Sequence, residues 1–417
     1  MTGDSARPPD PAPDRPTPRG TSLRRPLAAI GRARDKALAA PSHDTRTAAL
    51  LGIALGVSFT VCFLTGLLSH LIQHPPGWFH YGARPAGLYR VTQGLHVATG
   101  TAAVPLLLAK LWTVYPHLLQ WPPVRSVAHV LERVSIVPLV AGALFMLWTG
   151  VGDTARWYPY PFAFVPAHYT TAWITIGALV VHIGAKASLT RDALRRADKG
   201  VLGPSGARVI ADGAPLRTGR LSRRGFLGAA GAGVGIVTVT TVGQTLRPLG
   251  RLAVLAPRRP DAGVDGVPVN ETAGKARVTE IAGRPDYRLT VTGKVGAPLT
   301  LSLADLRDLP QHQATLPITC VEGWSANAHW RGVRVRDLLA RARAKPGAAA
   351  TVISMQPRGA YAKSELEASH AADPDTLLAM EMNGRPLALD HGFPLRLIAP
   401  NRPGVMQTKW VNRLEVT

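Results

Sequence analysis

Five apolar segments of membrane-spanning length occupy much of the first three-fifths of the 417-residue chain. A helix needs about 20 predominantly apolar residues to cross the hydrocarbon core of a bilayer. One such run can be a buried core helix, but five in succession predict a membrane region. Four spans with short connections predict a helical bundle, and the fifth predicts a separate anchor helix. The predicted spans are about 47–69, 90–112, 134–151, 168–186 and 225–246.

Lys and Arg residues are distributed unevenly around these spans. Three segments carry most of them: nine in residues 1–46, three in 110–133 and ten in 186–224. The other two connections contain only Arg84, Arg90 and Arg156. Because cytoplasmic loops retain Lys and Arg, the N-terminus is predicted to be cytoplasmic and the region after the fifth span extracytoplasmic. Topology and contact with anionic membrane lipid explain much of the formal charge of +22 better than nucleic acid does.

Composition divides the chain into six segments. The first is rich in Pro, Arg and Asp with little aliphatic periodicity, which is typical of disorder. The last alternates apolar and polar residues at 287–293 and is long enough to bury its own core, so we expect a mixed α+β domain. The segments are a cytoplasmic tail (1–46), a four-helix transmembrane domain (47–189), a cytoplasmic loop (190–223), an anchor helix (224–247), a tether (248–266) and the α+β domain (267–417).

The fifth span begins Leu221-Ser222-Arg223-Arg224-Gly225-Phe226-Leu227 and continues as a Gly/Ala-rich, moderately hydrophobic segment. This start resembles a twin-arginine export signal. The alternative is the basic flank of an ordinary helix. An even number of preceding spans leaves both arginines in the cytoplasm, as export requires. The resemblance implies the twin-arginine export machinery, which carries folded proteins, as a partner.

Cys320 is one of two cysteines in the chain, and the other, Cys62, lies inside an apolar span. A disulfide between them would require a membrane-buried residue to meet one in a soluble domain, so we reject it. An unpaired cysteine in an exported segment needs an explanation. Two interpretations remain open at this point: a small buried hydrophobic residue, or a thiolate ligand for a metal.

The residues that follow Cys320 occur as an ordered series of motifs. Cys320-Val321-Glu322-Gly323-Trp324 is followed by Trp330-Arg331-Gly332, Val335-Arg336-Asp337-Leu338-Leu339, residues 361–364, His391-Gly392-Phe393-Pro394-Leu395-Arg396-Leu397 and Gln407-Thr408-Lys409-Trp410-Val411. Over about residues 268–417 the series resembles the sulfite-oxidase family, and its first motif is most similar to the bacterial protein-methionine-sulfoxide reductase branch. The resemblance implies a sulfite-oxidase-like α+β domain with a molybdenum–molybdopterin cofactor and oxidoreductase activity.

The resemblance also implies roles for individual residues. Cys320 would bind molybdenum directly and be the catalytic residue. The pterin would be bound by His391, Arg396, Gln407, Thr408 and Lys409, with looser matches at Asn270, Thr272 and Gln356.

Two departures from the family pattern bear on the substrate. Sulfite oxidases carry arginines directly after the metal cysteine, whereas Glu322 and Trp324 follow here, which argues against a small anionic substrate. An apparent extra residue before Tyr361 also leaves its role beside the substrate open.

Histidines within the first four spans also require an explanation, because ionisable groups at membrane depth are costly. His168 and His182 lie on one predicted helix, about 40° apart in azimuth and about 21 Å apart along its axis. His96 enters the second span from the predicted outer side. Each of these histidines can instead be a packing or interfacial residue.

The arrangement resembles the four-helix b-type cytochrome subunits of membrane formate dehydrogenases. The resemblance implies haem b, with His96 and His168 binding one iron near the outer face. His182 would bind a second iron near the inner face, with a partner among His43, His117 and His129.

Taken together, these patterns predict a multi-pass protein of the cell membrane with its oxidoreductase site outside the cytoplasm. We expect oxygen-atom transfer or two-electron redox chemistry, with electrons exchanged with the quinone pool or another membrane carrier. Two alternatives remain. The C-terminal domain can be an extracellular binding module on a membrane stem without redox activity, or the helices can anchor a molybdenum domain without haem.

Overall fold

The computed structural model describes residues 43–118, 127–198, 222–242, 245, 247–256, 258 and 263–417. Nearly all of the predicted tail and most of the predicted cytoplasmic loop lie outside these residues, so both assignments stay predictions.

Five long helices lie at the predicted spans and confirm them as helices. They are α1 (Thr45–Gln73), α2 (Leu88–Leu118), α3 (Val127–Ala155), α4 (Phe164–Asp198) and α5 (Arg223–Val242). Even the shortest has 20 residues, so at 1.5 Å per residue it is about 30 Å long, the thickness of a bilayer core. All five are long and apolar enough to cross a membrane.

The first four helices form a bundle in which α1 packs against α2 and α4, and α3 packs against α4. The anchor helix α5 packs on α2. Large apolar side chains face outward from the bundle, including Val57, Leu108, Val137 and Val180, each about 60% exposed or more. A helix that is apolar on its outer as well as its inner face is typical of a lipid environment.

The C-terminal domain contains two five-stranded sheets. Its strands are β1 (Arg288–Gly293), β2 (Leu299–Ser302), β3 (His312–Thr319), β4 (Ser325–Arg334), β5 (Ala350–Ser354), β6 (Lys363–Leu366), β7 (Leu377–Met382), β8 (Arg385–Pro386), β9 (Arg396–Ile398) and β10 (Val411–Val416). The first sheet has the order β2-β1-β10-β5-β6, with β1 and β10 parallel. The second has the order β3-β4-β7-β8, and β9 pairs with β7.

Short helices join these strands: α6 (Thr279–Ala282), α7 (Leu303–Asp308), α8 (Val335–Arg341) and α9 (Ala368–Ala372). Helix α7 starts where a capping box closes, because the Ser302 hydroxyl accepts from Asp305 N (3.1 Å) while the Asp305 carboxylate accepts from Ser302 N (2.8 Å). The expected α+β class is confirmed for this domain, as is the strand expected near 287–293.

The domain has two large apolar clusters. One contains residues of both sheets, among them fully buried Leu289 and Val352 of the first sheet and Leu378 and Leu397 of the second. The other contains Ile318, Trp324, Trp330, Leu377 and Ile398 together with Cys320. The cysteine is thus held by close-packed apolar side chains, which limit how far it can move.

The C-terminal domain packs against one end of the helical bundle. Asn401 lies at the centre of this contact: its Oδ1 accepts from Tyr81 Oη (3.1 Å) and from Tyr89 N (2.8 Å), and its Nδ2 donates to Gly82 O (2.8 Å). Arg84 adds a bidentate pair with Asp373 at 2.9 and 3.0 Å. The bundle end concerned is the one whose connections contain few basic residues.

Candidate active site

Cys320 lies at the tip of the β3–β4 hairpin. Thr319 pairs with Ser325 across the two strands, so residues 320–324 form the connecting turn. Cys320 N donates to Trp324 O (2.9 Å), and Gly323 N donates to Cys320 O (3.1 Å). Gly323 has φ +94°, a conformation that glycine adopts without a steric penalty. The turn therefore presents the thiol in one orientation, where it is only 4% exposed.

The sulfur of Cys320 accepts a hydrogen bond from Asn270 Nδ2 at 2.9 Å. Burial raises the pKa of the thiol well above its usual range, and the Glu322 carboxylate raises it further. Without a cation nearby the group is therefore a thiol, and a bound metal is what would hold it as a thiolate. The structure thus brings Asn270, which the sequence matched only loosely, to the predicted metal ligand.

Two buried cations lie in the segments that the sequence assigned to the cofactor. Arg396 Nη1 donates to His391 O (3.1 Å), and its guanidinium lies over the Trp330 ring at 5.6 Å. Lys409 Nζ donates to Glu271 O (2.6 Å) and Asp390 O (2.8 Å). Burial lowers the pKa of Arg396 to about 9 and that of Lys409 to about 7. Within the described part of the chain, neither forms an ion pair with a carboxylate.

These residues fit an anionic cofactor. A buried cation is costly unless an anion accompanies it, and no carboxylate does so here. Three buried polar atoms around the site also have no hydrogen-bond partner among the described residues: Arg396 Nε, Asn270 Oδ1 and Trp324 Nε1. Such atoms normally indicate a missing partner. A pterin with a terminal phosphate would supply both acceptors and negative charge.

His391 is buried beside these cations, and its Nε2 lies 2.7 Å from Val264 O. Burial lowers its pKa to about 4, with a further contribution from Arg396, so the ring is neutral at neutral pH. The next residue, Gly392, has φ +110°, and a Cβ there would lie 3.0 Å from Lys409 Cβ. Glycine therefore lets the His391 segment approach Lys409 closely.

The other predicted cofactor residues have structural contacts. Gln407 bonds to both backbone groups of Ala399 (2.8 and 2.7 Å), and the Thr408 hydroxyl lies 2.6 Å from Ser364 Oγ. The Thr272 hydroxyl accepts from Lys275 N (3.3 Å). Gln356 bonds to Arg358 O within its own loop. Cofactor contacts by these four residues stay predictions.

Arg156, at the end of the bundle, reaches the same site. Its Nη1 donates to Asn270 O (2.6 Å), and its Nε lies 3.5 Å from Glu322 Oε1. Burial raises the pKa of the Glu322 carboxyl, and Arg156 opposes that shift. A carboxyl group two residues from Cys320 is consistent with the expectation that the substrate is not a small anion.

His96 and His168 face each other within the bundle. Their ring centroids are 6.3 Å apart and the rings are inclined at 71°. His96 Nδ1 lies 2.8 Å from Cys62 O, and His168 Nδ1 lies 2.9 Å from Thr149 Oγ1. In each ring one nitrogen is thus occupied, as in metal-ligating histidines whose second nitrogen binds the ion. His96 and His168 are therefore the two residues of the bundle that would hold an outer haem.

Two glycines make space beside this histidine pair. A Cβ on Gly66 would lie 2.7 Å from His96 Cε1, and one on Gly150 would lie 3.3 Å from His168 Cε1. The described residues contain no cluster of three or more His, Cys, Asp or Glu side chains suited to a metal. A haem takes only two ligands from the protein, so this result does not test the predicted haem site.

The predicted inner haem ligands are His182 and one of His43, His117 and His129. His182 lies on α4, fourteen residues after His168. His43 Nδ1 lies 3.0 Å from Thr113 O, against the rings of Trp112 and Tyr115. The structure does not describe the side chains of His117 and His129. The second haem site stays a prediction.

Several residues from the helical part meet the C-terminal domain near Cys320 and were not singled out as site residues from the sequence. They are Gln73, Tyr89, Gln93, Arg156 and Thr245. One signal was available: Arg84, Arg90 and Arg156 are the only basic residues in their connections, and all three bond to the C-terminal domain. An isolated cation in a connection with few charged residues thus marked the contact surface.

The low pKa of Lys409 predicts a pH-dependent stability. Its folded pKa of about 7 lies below the ordinary value, so between about pH 7 and pH 10 the unfolded chain binds more protons than the native state. The free energy of unfolding therefore rises with pH in that window. We expect the unfolding temperature of the cofactor-free protein to rise more steeply there in the wild type than in Lys409→Met, as measured by calorimetry. Equal slopes would contradict the buried, unpaired state of Lys409.

Comparisons with known proteins assign the domain. Residues 275–417 match the family described as "Oxidoreductase molybdopterin binding domain". The mitochondrial sulfite oxidase of Rattus norvegicus is 34% identical over 160 residues, which cover 32% of this chain and 29% of the relative. The "Uncharacterized oxidoreductase YuiH" of Bacillus subtilis is 33% identical over 132 residues, covering 31% of this chain and 65% of that protein.

Among solved structures, the sulfane dehydrogenase SoxCD from Paracoccus pantotrophus is 30% identical, over 32% of this chain and 38% of its own, with a TM-score of 0.29. The chain spans only about 29% of the length of the first sulfite oxidases it matches. The matched part contains Cys320, both buried cations and all ten strands. Residues 275–417 therefore form a molybdopterin-binding domain of the sulfite oxidase type, a domain of molybdopterin-dependent oxidoreductases.

Proposed function

We propose that this protein is a membrane-anchored, molybdopterin-dependent oxidoreductase whose active site lies outside the cytoplasm. The observation that carries the proposal is the buried thiol of Cys320, fixed at a hairpin tip and contacted by the Asn270 amide. Two buried cations without carboxylate partners, Arg396 and Lys409, lie in the cofactor segments of the same domain.

A bound molybdenum–molybdopterin group would supply two-electron redox chemistry and oxygen-atom exchange with the substrate. The chain's residues bind and orient that group. Cys320 supplies the soft thiolate ligand, Asn270 donates a hydrogen bond to its sulfur, and Arg396 and Lys409 neutralise the phosphate end of the pterin. His391, neutral at physiological pH, offers one further hydrogen bond. Glu322 beside the metal ligand disfavours a small anionic substrate such as sulfite.

The contact between the two parts supports the proposed topology. The C-terminal domain packs on the bundle end whose connections contain few Lys and Arg residues, which is the extracytoplasmic end by the positive-inside rule. Exposed aromatic residues lie in the connections at that end, among them Trp78, Trp157 and Tyr160. Aromatic side chains of this kind are enriched at membrane–water interfaces. The twin-arginine motif at the start of α5 supports export of the folded domain.

The bundle is proposed to transfer electrons between the active site and the quinone pool through haem b. The facing His96 and His168 rings support one haem near the outer face, on the side where the C-terminal domain packs. Each ring is oriented through its Nδ1, which leaves the other nitrogen for iron. His182 is the proposed ligand of a second haem near the inner face.

The proposal is tested by metal analysis and a reduced-minus-oxidised optical spectrum of the full-length protein purified in detergent. We expect about one molybdenum per chain together with a b-type haem band. Molybdenum without haem would reduce the bundle to an anchor. Absence of both metals from protein matured with an active molybdopterin pathway would contradict the function and favour a binding module on a membrane stem.

A further inference from the structure

Two side chains from the helical part bond directly to the turn that carries Cys320. Gln93 of α2 donates through Nε2 to Val321 O, and Thr245, just beyond α5, donates through Oγ1 to Gly323 O. Both side chains are buried, with exposures of 4% and 5%. The two acceptors are the backbone carbonyls one and three residues after the predicted metal ligand.

These two bonds add to the hydrogen bonds within the turn. Inside it, Cys320 N pairs with Trp324 O and Gly323 N pairs with Cys320 O. The carbonyls of Val321 and Gly323 receive their donors from the membrane part. Because a buried carbonyl without a donor is costly, removing either donor favours a turn that opens or rotates toward another partner.

Thr245 is itself held firmly. Arg90 Nη2 donates to Thr245 O (3.0 Å), and Arg90 Nη1 donates to Asn327 Oδ1 of β4 (3.2 Å). A Cβ on Gly94 would lie 3.2 Å from Thr245 Cγ2, so the glycine permits a close approach of α2. The threonine is thus fixed between α2 and the hairpin whose tip it contacts.

Gln93 also connects the turn to the histidine pair. It precedes His96 by three residues on α2, and residues at this spacing lie on the same face of a helix. One helical turn therefore presents a donor to the Cys320 turn and an imidazole to His168. The conformation of the thiol-bearing turn depends on the helix that carries the proposed haem ligand.

From these contacts we propose that Gln93 and Thr245 are positioning residues of the active site, which hold the Cys320 turn in the conformation that presents its sulfur to molybdenum. The membrane part would then complete the metal-binding site in addition to anchoring it. This inference rests on the proposed function, because that function makes Cys320 the ligand of molybdenum. Its first test uses protein without bound molybdenum.

The test measures the alkylation rate of Cys320 by iodoacetamide in the full-length, cofactor-free protein in detergent. Peptide mass spectrometry separates Cys320 from Cys62. Because one hydrogen bond stabilises the closed turn, we expect Thr245→Val and Gln93→Leu each to accelerate alkylation about five- to tenfold. Thr245→Ser, which keeps the hydroxyl, should react at the wild-type rate.

Two controls separate positioning from a general loss of structure. Thr241→Val changes a hydroxyl that bonds within its own helix, to Val237 O (2.6 Å) and Thr238 O (3.2 Å), and should leave the rate unchanged. Arg84→Ala removes the ion pair with Asp373, which joins the helical bundle to the C-terminal domain away from the turn. Unchanged rates in both Thr245→Val and Gln93→Leu, or equal acceleration by Arg84→Ala, would overturn the proposal.

A second readout uses the loaded protein. In Thr245→Val with its molybdenum content retained, we expect altered g-values of the Mo(V) electron paramagnetic resonance signal, since the orientation of the cysteine sulfur affects the metal. An unchanged signal in both Thr245→Val and Gln93→Leu would count against positioning. Absence of molybdenum from the wild type would instead defeat the proposed function and leave the alkylation result standing.

Discussion

Cys320→Ser is expected to reduce turnover by roughly 10³-fold or more while leaving a folded protein in the membrane. The substitution replaces the sulfur by a smaller, harder oxygen and keeps the side chain nearly isosteric. The side chain keeps its size and can still accept the hydrogen bond from Asn270, so the hairpin and its apolar cluster should survive. Turnover is measured with an artificial electron donor or acceptor, which makes the result independent of the haems.

Two further measurements make this result interpretable. The unfolding temperature of Cys320→Ser should stay close to that of the wild type, because the turn keeps its backbone bonds and Gly323 keeps its positive φ. Comparison with Cys320→Ala shows whether the serine oxygen acts as a weak ligand. Wild-type turnover in either variant would refute Cys320 as the metal ligand and leave it a buried thiol.

His96→Leu and His168→Leu are each expected to abolish the outer haem and quinone-linked turnover. Turnover with an artificial redox partner should persist, since Cys320 and the buried cations lie in the other domain. The ring centroids lie 6.3 Å apart, so either substitution would remove one of the two histidines that would hold the haem. The measurements are the reduced-minus-oxidised spectrum and two parallel assays, one with a quinone and one with the artificial partner.

His70→Leu is the matched control for these variants. His70 is also an outer histidine of the bundle, but its ring stacks on Tyr169 at 3.7 Å and lies next to His74. We expect its removal to leave the haem band and quinone-linked turnover intact. A haem band that persists in both His96→Leu and His168→Leu would contradict the assignment of this pair.

The two halves of the chain were predictable from the sequence to different degrees. The five helices follow from local composition, because length and apolarity alone decide whether a segment suits a bilayer. The first sheet's strand near 287–293 was predicted from its alternation of apolar and polar residues. The β3–β4 hairpin around Cys320 was not assigned, although apolar residues alternate with other residues along both strands, at 314, 316 and 318 and at 326, 328 and 330.

The candidate site was predictable mainly where a motif was available. Resemblance identified Cys320, Arg396 and Lys409, and the structure shows both cations buried and without carboxylate partners. It identified Asn270 only loosely, although that amide contacts the sulfur. For Gln407 and Thr408 the resemblance could not distinguish cofactor binding from hydrogen bonds that stabilise the fold. A side chain that bonds to the protein and one that binds a cofactor have the same sequence signature.

The sequence by itself determined the five long apolar helices and the cysteine motif that resembles a metal-binding one, because each depends on local composition or on one contiguous motif. Only the tertiary structure decided how the two parts combine. Gln93 and Val321 are separated by 228 positions, and Tyr81 and Asn401 by 320. Such contacts depend on how two separately formed surfaces meet, and no local pattern records the partner of a buried carbonyl or amide. The turn at Cys320 therefore accepts two hydrogen bonds from residues that the sequence assigned only to the helical part.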